Sequence, residues 1–280
     1  MRAAPRSTVE ISPNRRTLTR ATIAELWEFR EVLWAFTVRA VKVKYKQAVI
    51  GLGWAVVQPI FAALIFALIF GRVAKLPTES DTPYLLFVLA GMTCWTYVNT
   101  AVTTAAQSLV TDSTLLRKVY FPREVIPLGS IGAAIVDFGP ALAVLFIVAG
   151  LYGELPAISW ITLPVLVLIL IAAATWSGLA LAALNVYYRD VKHVIPFLLQ
   201  VGLFVSAIVF PLSLIDDPWD TVWGIANPVA GAIDGVRAVV TRGDWPDPVI
   251  TLGALAWSSL LLLLAYAFFK RLERNFGDRV

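Results

Sequence analysis

The stretch from Thr114 to Pro127, TLLRKVYFPREVIP, brings cations, aromatic rings and prolines together within a few residues. When one protein docks on another, aromatic side chains supply rigid contact area, and charged side chains supply pairing and register. The prolines restrict the backbone where the chain turns. We therefore predict a docking element for a soluble partner. Its contact residues are Arg117, Lys118, Tyr120, Phe121, Pro122, Arg123 and Glu124. The alternative, an ordinary basic loop, explains the cations but not Tyr-Phe-Pro.

The sequence contains no compact motif for nucleotide, zinc or acyl-transfer chemistry. The patterns G-x-x-x-x-G-K-[ST], H-E-x-x-H and G-x-S-x-G do not occur in it. Cys94 is the single cysteine, so an internal disulfide is excluded. We therefore predict that this chain is not an enzyme and that it holds no catalytic residue, metal or cofactor of its own.

Long apolar runs on both sides must position the docking stretch. Charged residues make up only 15% of the 280 residues, whereas a soluble domain has about 25%. The charges are grouped, and the six windows between them have the length, about 20 residues, that crosses a bilayer as a helix. The windows lack the alternation of barrel strands. We predict an all-α integral membrane protein. Its six transmembrane helices are expected at about residues 47–71, 83–111, 125–151, 160–187, 194–215 and 249–269.

The basic residues predict the orientation of these helices. The chain has 23 lysines and arginines, and all but Arg72, Lys75, Arg237 and Arg242 fall on one side of the predicted topology. Because basic residues are concentrated in cytoplasmic loops, both termini and the docking stretch are predicted to be cytoplasmic. The same rule explains the basic pI, so nucleic acid is not expected as a partner.

Asp137 is the one charge in the third window, within IVDFGPAL. A carboxylate in a membrane-spanning segment is costly and is by default a functional candidate. Three roles are open: a structural hydrogen bond to a neighbouring helix, a part in gating or substrate passage, or a proton relay. The relay is the least favoured, because no other acid, lysine or histidine lies in the windows.

The residues before the first window divide into two parts. Residues 1–18 form a basic segment that we predict to be disordered. Residues 19–46 have apolar positions at helical spacing with tryptophans among them, which predicts an amphipathic helix in the headgroup layer. A helix packed on a soluble partner is the alternative, and the two are compatible. The contact residues are predicted to be Trp27, Phe29, Arg30 and Trp34. Residues 47–270 then form the membrane domain, and residues 271–280 a cytoplasmic tail.

The second window turns polar over Thr93–Ser108. Such a face is expected to meet protein or a water-filled path rather than lipid. Ordinary packing of small and hydroxylated residues between helices is the alternative. In the first window Gln58 has the same two possibilities, a hydrogen bond between helices or a place in a polar lining.

The predicted external segment before the last window is long and apolar. Its pattern predicts two short amphipathic helices in the outer membrane surface, divided at Asn227-Pro228. They could serve as an external gate or as a simple membrane anchor. The candidate gate residues are Trp219, Trp223, Asn227 and Pro228.

Several segments together resemble the permease subunits of ABC-2 type exporters of lipid-linked polysaccharides, a family that includes O-antigen, capsule, teichoic-acid and galactan exporters. The matching segments, in chain order, are LWEFREVLWAFTVRAVKVKYKQAVIGLGWAVVQP, LLRKVYFPREVIPL, NVYYRDVKHVIPFLLQ with FPLSLI, and IANPVAGAIDGVR. The resemblance implies a homodimer in the bacterial inner membrane, joined to two ATP-binding subunits that hold ATP and Mg. It also implies that the N-terminal helix and the YFPRE segment contact those subunits.

The resemblance further implies that the transported molecule is a glycan on a polyprenyl diphosphate carrier, which slides past aromatic side chains. The candidate path residues are Trp54, Gln58, Phe61, Phe197, Phe204 and Phe210. Two other hypotheses stay open. The chain could export a drug or another lipid on the same fold, or it could be a membrane-embedded glycosyltransferase or scaffold. A transferase would need clustered carboxylates, whereas Asp112, Glu124 and Asp190 are widely separated in the sequence.

Overall fold

The computed structural model of the protein describes residues 27–46, 51, 53–78, 82–113, 121–188, 190–274 and 276. Every regular element in these ranges is helical, which confirms the predicted all-α class. The α-helices are α1 Arg30–Tyr45, α2 Gly53–Phe66, α3 Tyr84–Thr111, α4 Val125–Leu151, α5 Leu163–Tyr187, α6 Val191–Val205, α7 Trp219–Ala226, α8 Pro228–Thr241 and α9 Pro248–Glu273. A π-helix, Ala67–Val73, continues α2, and short 3-10 helices lie at Ile158–Thr162 and Leu212–Leu214.

Five of the helical segments are long and apolar enough to cross a membrane. They are Gly53–Val73, Tyr84–Thr111, Val125–Leu151, Ile158–Tyr187 and Pro248–Glu273, with 21 to 30 residues each. They correspond to five of the six predicted spans, although residues 47–50 at the start of the first lie outside the described residues. Proline lies in the first turn of α5, α8 and α9, and α8 and α9 also have a side-chain cap. Asp247, for example, accepts the backbone N–H groups of Val249 and Ile250 at 2.7 and 3.0 Å.

The predicted span at 194–215 differs from the structure. Helix α6 has 15 residues and ends at Val205, so it is about 22 Å long and shorter than the hydrocarbon layer. It ends because Ala207 has a positive φ of 54°, a left-handed conformation that interrupts an α-helix. The chain then continues without regular structure to Pro211. A sixth membrane crossing by this segment stays a prediction.

The helices form a bundle with two ends. At one end, which we call the basic end, α3 and α5 finish and α4 begins, and the Tyr187 hydroxyl donates to the Leu272 carbonyl at 3.0 Å. At the opposite end, the Ser159 hydroxyl donates to the Gly243 carbonyl at 2.9 Å. Which end faces the cytoplasm stays a prediction from the distribution of cations.

Helix α3 is the centre of the bundle. It contacts α2, α4, α5, α6 and α8, and most of its side chains from Leu86 to Leu109 are buried. Small residues allow this close approach: a Cβ built at Gly178 of α5 would lie 3.0 Å from the Ala105 side chain of α3. The polar side chains of α3 lie on the remaining face, where Thr104, Gln107 and Thr111 are exposed in the single chain.

Helix α1 packs along α4 rather than standing apart from the membrane domain. A Cβ at Gly129 would lie 2.8 Å from Cβ of Phe36, and a Cβ at Gly132 would lie 2.8 Å from Oγ1 of Thr37. These glycines therefore form the seat of α1. Its far end contacts Asp137, so the contacts advance in the same direction along both helices.

The two helices predicted between the last spans are present as α7 and α8, and the break falls at Asn227 as expected. Helix α8, however, does not lie exposed at a membrane surface. All its side chains except that of Asp234 are buried, because it packs against α3, α5, α7 and α9. The expectation of a surface position was wrong for α8. A gate function for the pair stays a prediction.

Candidate functional site: a polar groove with charged anchors

Three adjoining clefts of about 390, 670 and 420 Å³ form one groove along α3. The first cleft shares Trp54, Gln58 and Asn99 with the second, and it shares Lys44 and Asp137 with the third. The walls come from α1, α2, α3 and α4, with one residue from α6. We call this continuous depression the groove.

The polar half of the second span forms one wall of the groove. The lining residues from α3 include Thr96, Asn99, Thr100, Thr103, Thr104, Gln107 and Thr111. Spacings of three and four place these side chains on one face, which extends about 22 Å along the helix. Several hydroxyls also donate to backbone carbonyls one turn back, as Thr104 does to Thr100 at 2.8 Å. The polar sequence of the second span thus lines a cleft.

Aromatic side chains of α2 form the facing wall. Trp54 and Phe61 line the groove on either side of Gln58 and are 50% and 61% exposed in the single chain. Gln58 therefore has the lining position, one of its two predicted alternatives. The other predicted path residues are elsewhere. Phe197 and Phe204 lie on the exposed face of α6, and Phe210 packs on the small cluster around Ala207 and Leu212.

Asp137 is held by the end of α1. Its Oδ1 atom accepts a hydrogen bond from the Tyr45 hydroxyl, and its Oδ2 atom forms an ion pair with the Lys44 ammonium group. Burial, followed by the hydrogen bond and charge of Asp137, raises the pKa of Tyr45, so its hydroxyl is a neutral donor at physiological pH. The predicted structural hydrogen bond to a neighbouring helix is therefore present. Sequence reasoning missed Lys44 and Tyr45 because they lie outside the apolar windows.

Two hydroxyls next to this cluster have no hydrogen-bond partner in the described part of the chain. They are Oγ1 of Thr93 and the phenol oxygen of Tyr97, both buried and both in the lining of the first cleft. Tyr97 stacks on Phe138, with ring centroids 4.8 Å apart. Buried polar groups are rarely left unsatisfied, so these two require an explanation.

The described part of the docking stretch is folded back on the bundle. Arg117, Lys118 and Tyr120 lie outside the described residues. Glu124 is 1% exposed and accepts the Tyr266 hydroxyl at 2.9 Å and the Lys270 ammonium at 2.7 Å. Arg123 donates to the Glu273 carbonyl at 2.9 Å. These two residues, predicted as contacts for another protein, thus brace the end of α9.

Two further residues of the stretch are only partly available. Pro122 is buried and Phe121 is half-buried. The Phe121 ring lies 5.4 Å from the ring of Phe36 on α1. The N-terminal candidates are more open: Trp27, Arg30 and Trp34 are exposed and Phe29 is half-buried. Arg30 lies over the Trp27 ring at 5.5 Å.

The corner between α7 and α8 caps the end of α6. The Trp223 indole donates to the Val205 carbonyl at 2.9 Å, and the Asn227 amide donates to the same carbonyl at 3.2 Å. The Asn227 side chain also accepts the Ala230 N–H at the start of α8, and Pro228 occupies the first turn. Trp219 is exposed. Three of the four predicted gate residues thus form one structural joint.

The burial of Arg237 was not predicted from the sequence. Arg237 was counted among the external cations, and its side chain is 0% exposed. Its guanidinium donates to the carbonyls of Phe87, Ala207 and Ile208 at 3.2, 2.8 and 2.6 Å and lies 3.6 Å from the centroid of the Phe87 ring. It joins α8 to α3 and to the irregular segment after α6, whose carbonyls would otherwise lack donors.

The fold and the groove define an all-helical, multi-pass membrane protein with a polar cleft through its apolar body. Residues 31–241 match the family model described as ABC-2 type transporter. The chain therefore belongs to the ABC-2 type transporter family, as its sequence motifs indicated, and is a membrane-spanning permease of the inner membrane.

The chain is similar along most of its length to permeases from two organisms. It is 27% identical over 259 residues to the O-antigen export system permease protein RfbA of Myxococcus xanthus, covering 92% of this chain and 98% of that protein. It is 23% identical over 250 residues to a protein of the same name from Klebsiella pneumoniae, covering 89% of this chain and 94% of the relative.

Proposed function

We propose that this chain is the permease half of an ATP-driven exporter that moves a polysaccharide on a polyprenyl diphosphate lipid from the cytoplasmic side across the inner membrane. Two copies would assemble with two ATP-binding subunits, which would hold ATP and Mg. The observation that carries the proposal is the groove, because its walls offer the two groups that bind sugars in water: aromatic faces on α2 and a ladder of amides and hydroxyls on α3.

The open side of the groove supports a dimeric path. Trp54 and Phe61 on α2 and Phe197 and Phe204 on α6 are large apolar side chains exposed in the single chain. A second copy placed against this side would cover them and enclose the groove. In that arrangement Phe197 and Phe204 could still face the path, as the family resemblance implied.

The packing around α1 suggests how an ATP-binding subunit would act on the groove. Phe121 of the docking stretch contacts Phe36 of α1, and the far end of α1 holds Asp137 in the groove lining. A displacement of the docking stretch would therefore reach the groove through one rigid helix. In this proposal Trp27, Arg30 and Trp34 remain available for the ATP-binding subunit or for lipid headgroups.

The joint at Trp223 and Asn227 supports a role for α7 and α8 at the outer exit. It connects these helices to the end of α6, so a movement of α6 would carry them with it. We propose that they close the outer end of the path between transport cycles.

Depletion of the chain in its native host tests the substrate class. We expect lipid-linked glycan to accumulate in the cytoplasmic leaflet, where a membrane-impermeant lectin does not reach it until the cells are lysed. If glycan reaches the surface normally in depleted cells while a drug or another lipid is retained, the polysaccharide assignment is wrong and the alternative export function replaces it.

Co-purification of the tagged chain tests the motor. We expect an ATP-binding subunit at one-to-one stoichiometry, and we expect Tyr120→Ala to lower transport-linked ATP hydrolysis without loss of the folded permease. Arg123→Ala is less specific, because it also removes the hydrogen bond to Glu273. A chain that purifies without any ATPase would contradict the ATP-driven mechanism.

A further inference from the structure

We propose that Lys44, Tyr97 and Thr93 form a binding site for a phosphoryl group carried on an apolar chain. All three line the cleft of about 390 Å³ within the groove, next to Asp137. The inference rests on the proposed function for the nature of the transported molecule, and it adds the residues that would hold the anionic part of that molecule.

The first observation is the unequal exposure of the ion pair. The Lys44 side chain is 44% exposed, whereas that of Asp137 is 12% exposed. Tyr45 donates to the second oxygen of Asp137. Asp137 thus keeps a hydrogen bond if Lys44 turns away from it. Because lysine has a flexible stem and three donors, its ammonium group can reach an incoming anion in the same cleft.

The second observation is the pair of buried hydroxyls without partners. Thr93 and Tyr97 are four residues apart and lie on the same face of α3. Neither hydroxyl has a hydrogen-bond partner in the residues that the structure describes. The stacking on Phe138 fixes the Tyr97 ring, so its O–H group is held in position before any ligand arrives. A ligand with several acceptor oxygens would satisfy both hydroxyls.

These groups together favour a phosphoryl ligand. A cation and two hydroxyl donors match the acceptor oxygens of a phosphate or diphosphate, and hydrogen bonds to such a charged group are stronger than neutral ones. The site also lies deep, since about 18 Å of helix separates Val125 from Asp137. The neighbouring outer face of α2 and of the π-helix that continues it exposes Phe61, Ile65 and Leu68. A phosphoryl group on an apolar chain could therefore enter with its chain in contact with that face.

Direct binding to the purified full-length chain, with the subunits that co-purify, tests this inference. The probe is farnesyl diphosphate, compared with farnesol and with inorganic pyrophosphate, and affinity is measured by calorimetry in detergent micelles. We expect farnesyl diphosphate to bind most tightly, inorganic pyrophosphate to compete weakly, and farnesol to bind without dependence on Lys44.

The variants separate binding from structure. Lys44→Gln should weaken binding of farnesyl diphosphate about tenfold or more, since a charge-assisted contact is lost. Asp137→Asn should strengthen binding, because the competitor for Lys44 loses its charge. Tyr97→Phe should weaken binding several-fold without lowering the unfolding temperature, because the deleted hydroxyl has no hydrogen-bond partner among the described residues. Lys42→Gln, which removes an exposed cation of the same helix that does not line the cleft, should leave affinity within twofold.

Several results would overturn the inference. A purely structural ion pair predicts that Lys44→Gln and Asp137→Asn change affinity in the same direction and by similar amounts. Equal affinities for farnesol and farnesyl diphosphate would show that the site does not recognise the phosphoryl group. Tighter binding of inorganic pyrophosphate than of farnesyl diphosphate would show that the site binds a free anion. Export is measured separately in cells. If depleted cells lose polysaccharide export but Lys44→Gln binds farnesyl diphosphate with unchanged affinity, the proposed function stands and only this binding site is rejected.

Discussion

Lys270 and Glu124 form a two-pronged ion pair at the basic end of the bundle: the lysine Nζ lies 2.7 Å from one carboxylate oxygen of Glu124 and 2.8 Å from the other. The same ammonium also contacts Glu273 at 3.0 Å. The segment that begins α4 is thereby joined to the end of the last helix, 146 positions away in the chain.

We expect Lys270→Met to destabilise the protein by about 3 kcal/mol, because it leaves the buried carboxylate of Glu124 uncompensated beside a second acid, Glu273. Glu124→Gln should cost less, since Lys270 still pairs with Glu273. The double variant should recover part of the loss. SDS-induced unfolding in mixed micelles measures these differences, with Arg271→Gln, an exposed cation one residue on, as the control. Additive losses in the double variant would contradict the coupling of the two residues.

Arg237→Met should be among the most damaging substitutions between α6 and α9. It removes the guanidinium donors of the Ala207 and Ile208 carbonyls, which lie outside any helix, and a further donor to the Phe87 carbonyl within α3. Each buried acceptor left unsatisfied costs about 1–3 kcal/mol. Arg237→Lys keeps the charge but loses the planar fork, so we expect an intermediate loss. The yield of monodisperse protein in size-exclusion chromatography after heating checks the order. A lysine variant as stable as the unsubstituted protein would show that charge alone suffices.

Two glycines test the space around the Arg237 guanidinium. A Cβ at Gly91 would lie 2.8 Å from Nη2 of Arg237, whereas a Cβ at Gly139 would have no neighbour within 4 Å. Gly91→Ala should therefore lower the unfolding temperature by several degrees. Gly139→Ala should be neutral or stabilising, because alanine favours the helix by about 1 kcal/mol over glycine. The same effect of both substitutions would mean that helix propensity, and not the guanidinium, decides the outcome.

Asn227→Ala should destabilise the protein by about 1 kcal/mol through loss of the cap on α8, in addition to its bonds to Val205 and Ser206. Asn227→Asp keeps the acceptor for Ala230 but loses both donations, so it separates the two contributions. Trp219→Phe, at an exposed position of α7, is the matched control. We expect both variants to lower export in cells, because both lose the hydrogen bonds that the Asn227 amide donates to Val205 and Ser206. If only Asn227→Ala lowers export, the cap on α8 matters for transport and the connection to α6 does not.

Asn99→Leu and Thr100→Val should lower polysaccharide export while leaving the amount of folded permease unchanged. Each removes a polar group from the groove wall, and about 1 kcal/mol per hydrogen bond predicts a loss of about fivefold. Thr175→Val is the control, because the Thr175 hydroxyl also bonds to a carbonyl one turn back but Thr175 lies on α5, outside the groove lining. Surface glycan per cell, measured in a complemented depletion strain, provides the readout. Equal export by the Asn99→Leu and Thr175→Val variants would show that α3 does not line the transport path.

Five of the spans, the break at Asn227-Pro228 and the family could be predicted from the sequence, because long apolar windows, prolines and local motifs determine them directly. The early end of α6 could not be predicted. The apolar window continues past Ala207, and the left-handed conformation there depends on the carbonyls being taken up by Arg237.

The candidate site was predictable only in part. The polar face of α3, Gln58 and Asp137 each stood out as unfavourable in lipid. The sequence left helix packing and a polar lining open for the first two, and it favoured a structural hydrogen bond for Asp137. Their partners were less visible. Lys44 lies in a segment whose pattern favours the membrane surface, and Arg237 was only counted among the external cations, because a charge count carries no information about burial.

The two ion pairs of α1 also set an order of assembly. Arg39 bonds to Asp112 at the end of α3 at 2.9 Å, and Lys44 bonds to Asp137 within α4. A ribosome makes α1 before either of these helices, and domains form from the N-terminus during synthesis. Helix α1 therefore acquires its complete seat only after the third span has entered the membrane. Docking of α1 on Asp112 and Asp137 is then a late step, which requires that the first three spans have been correctly inserted.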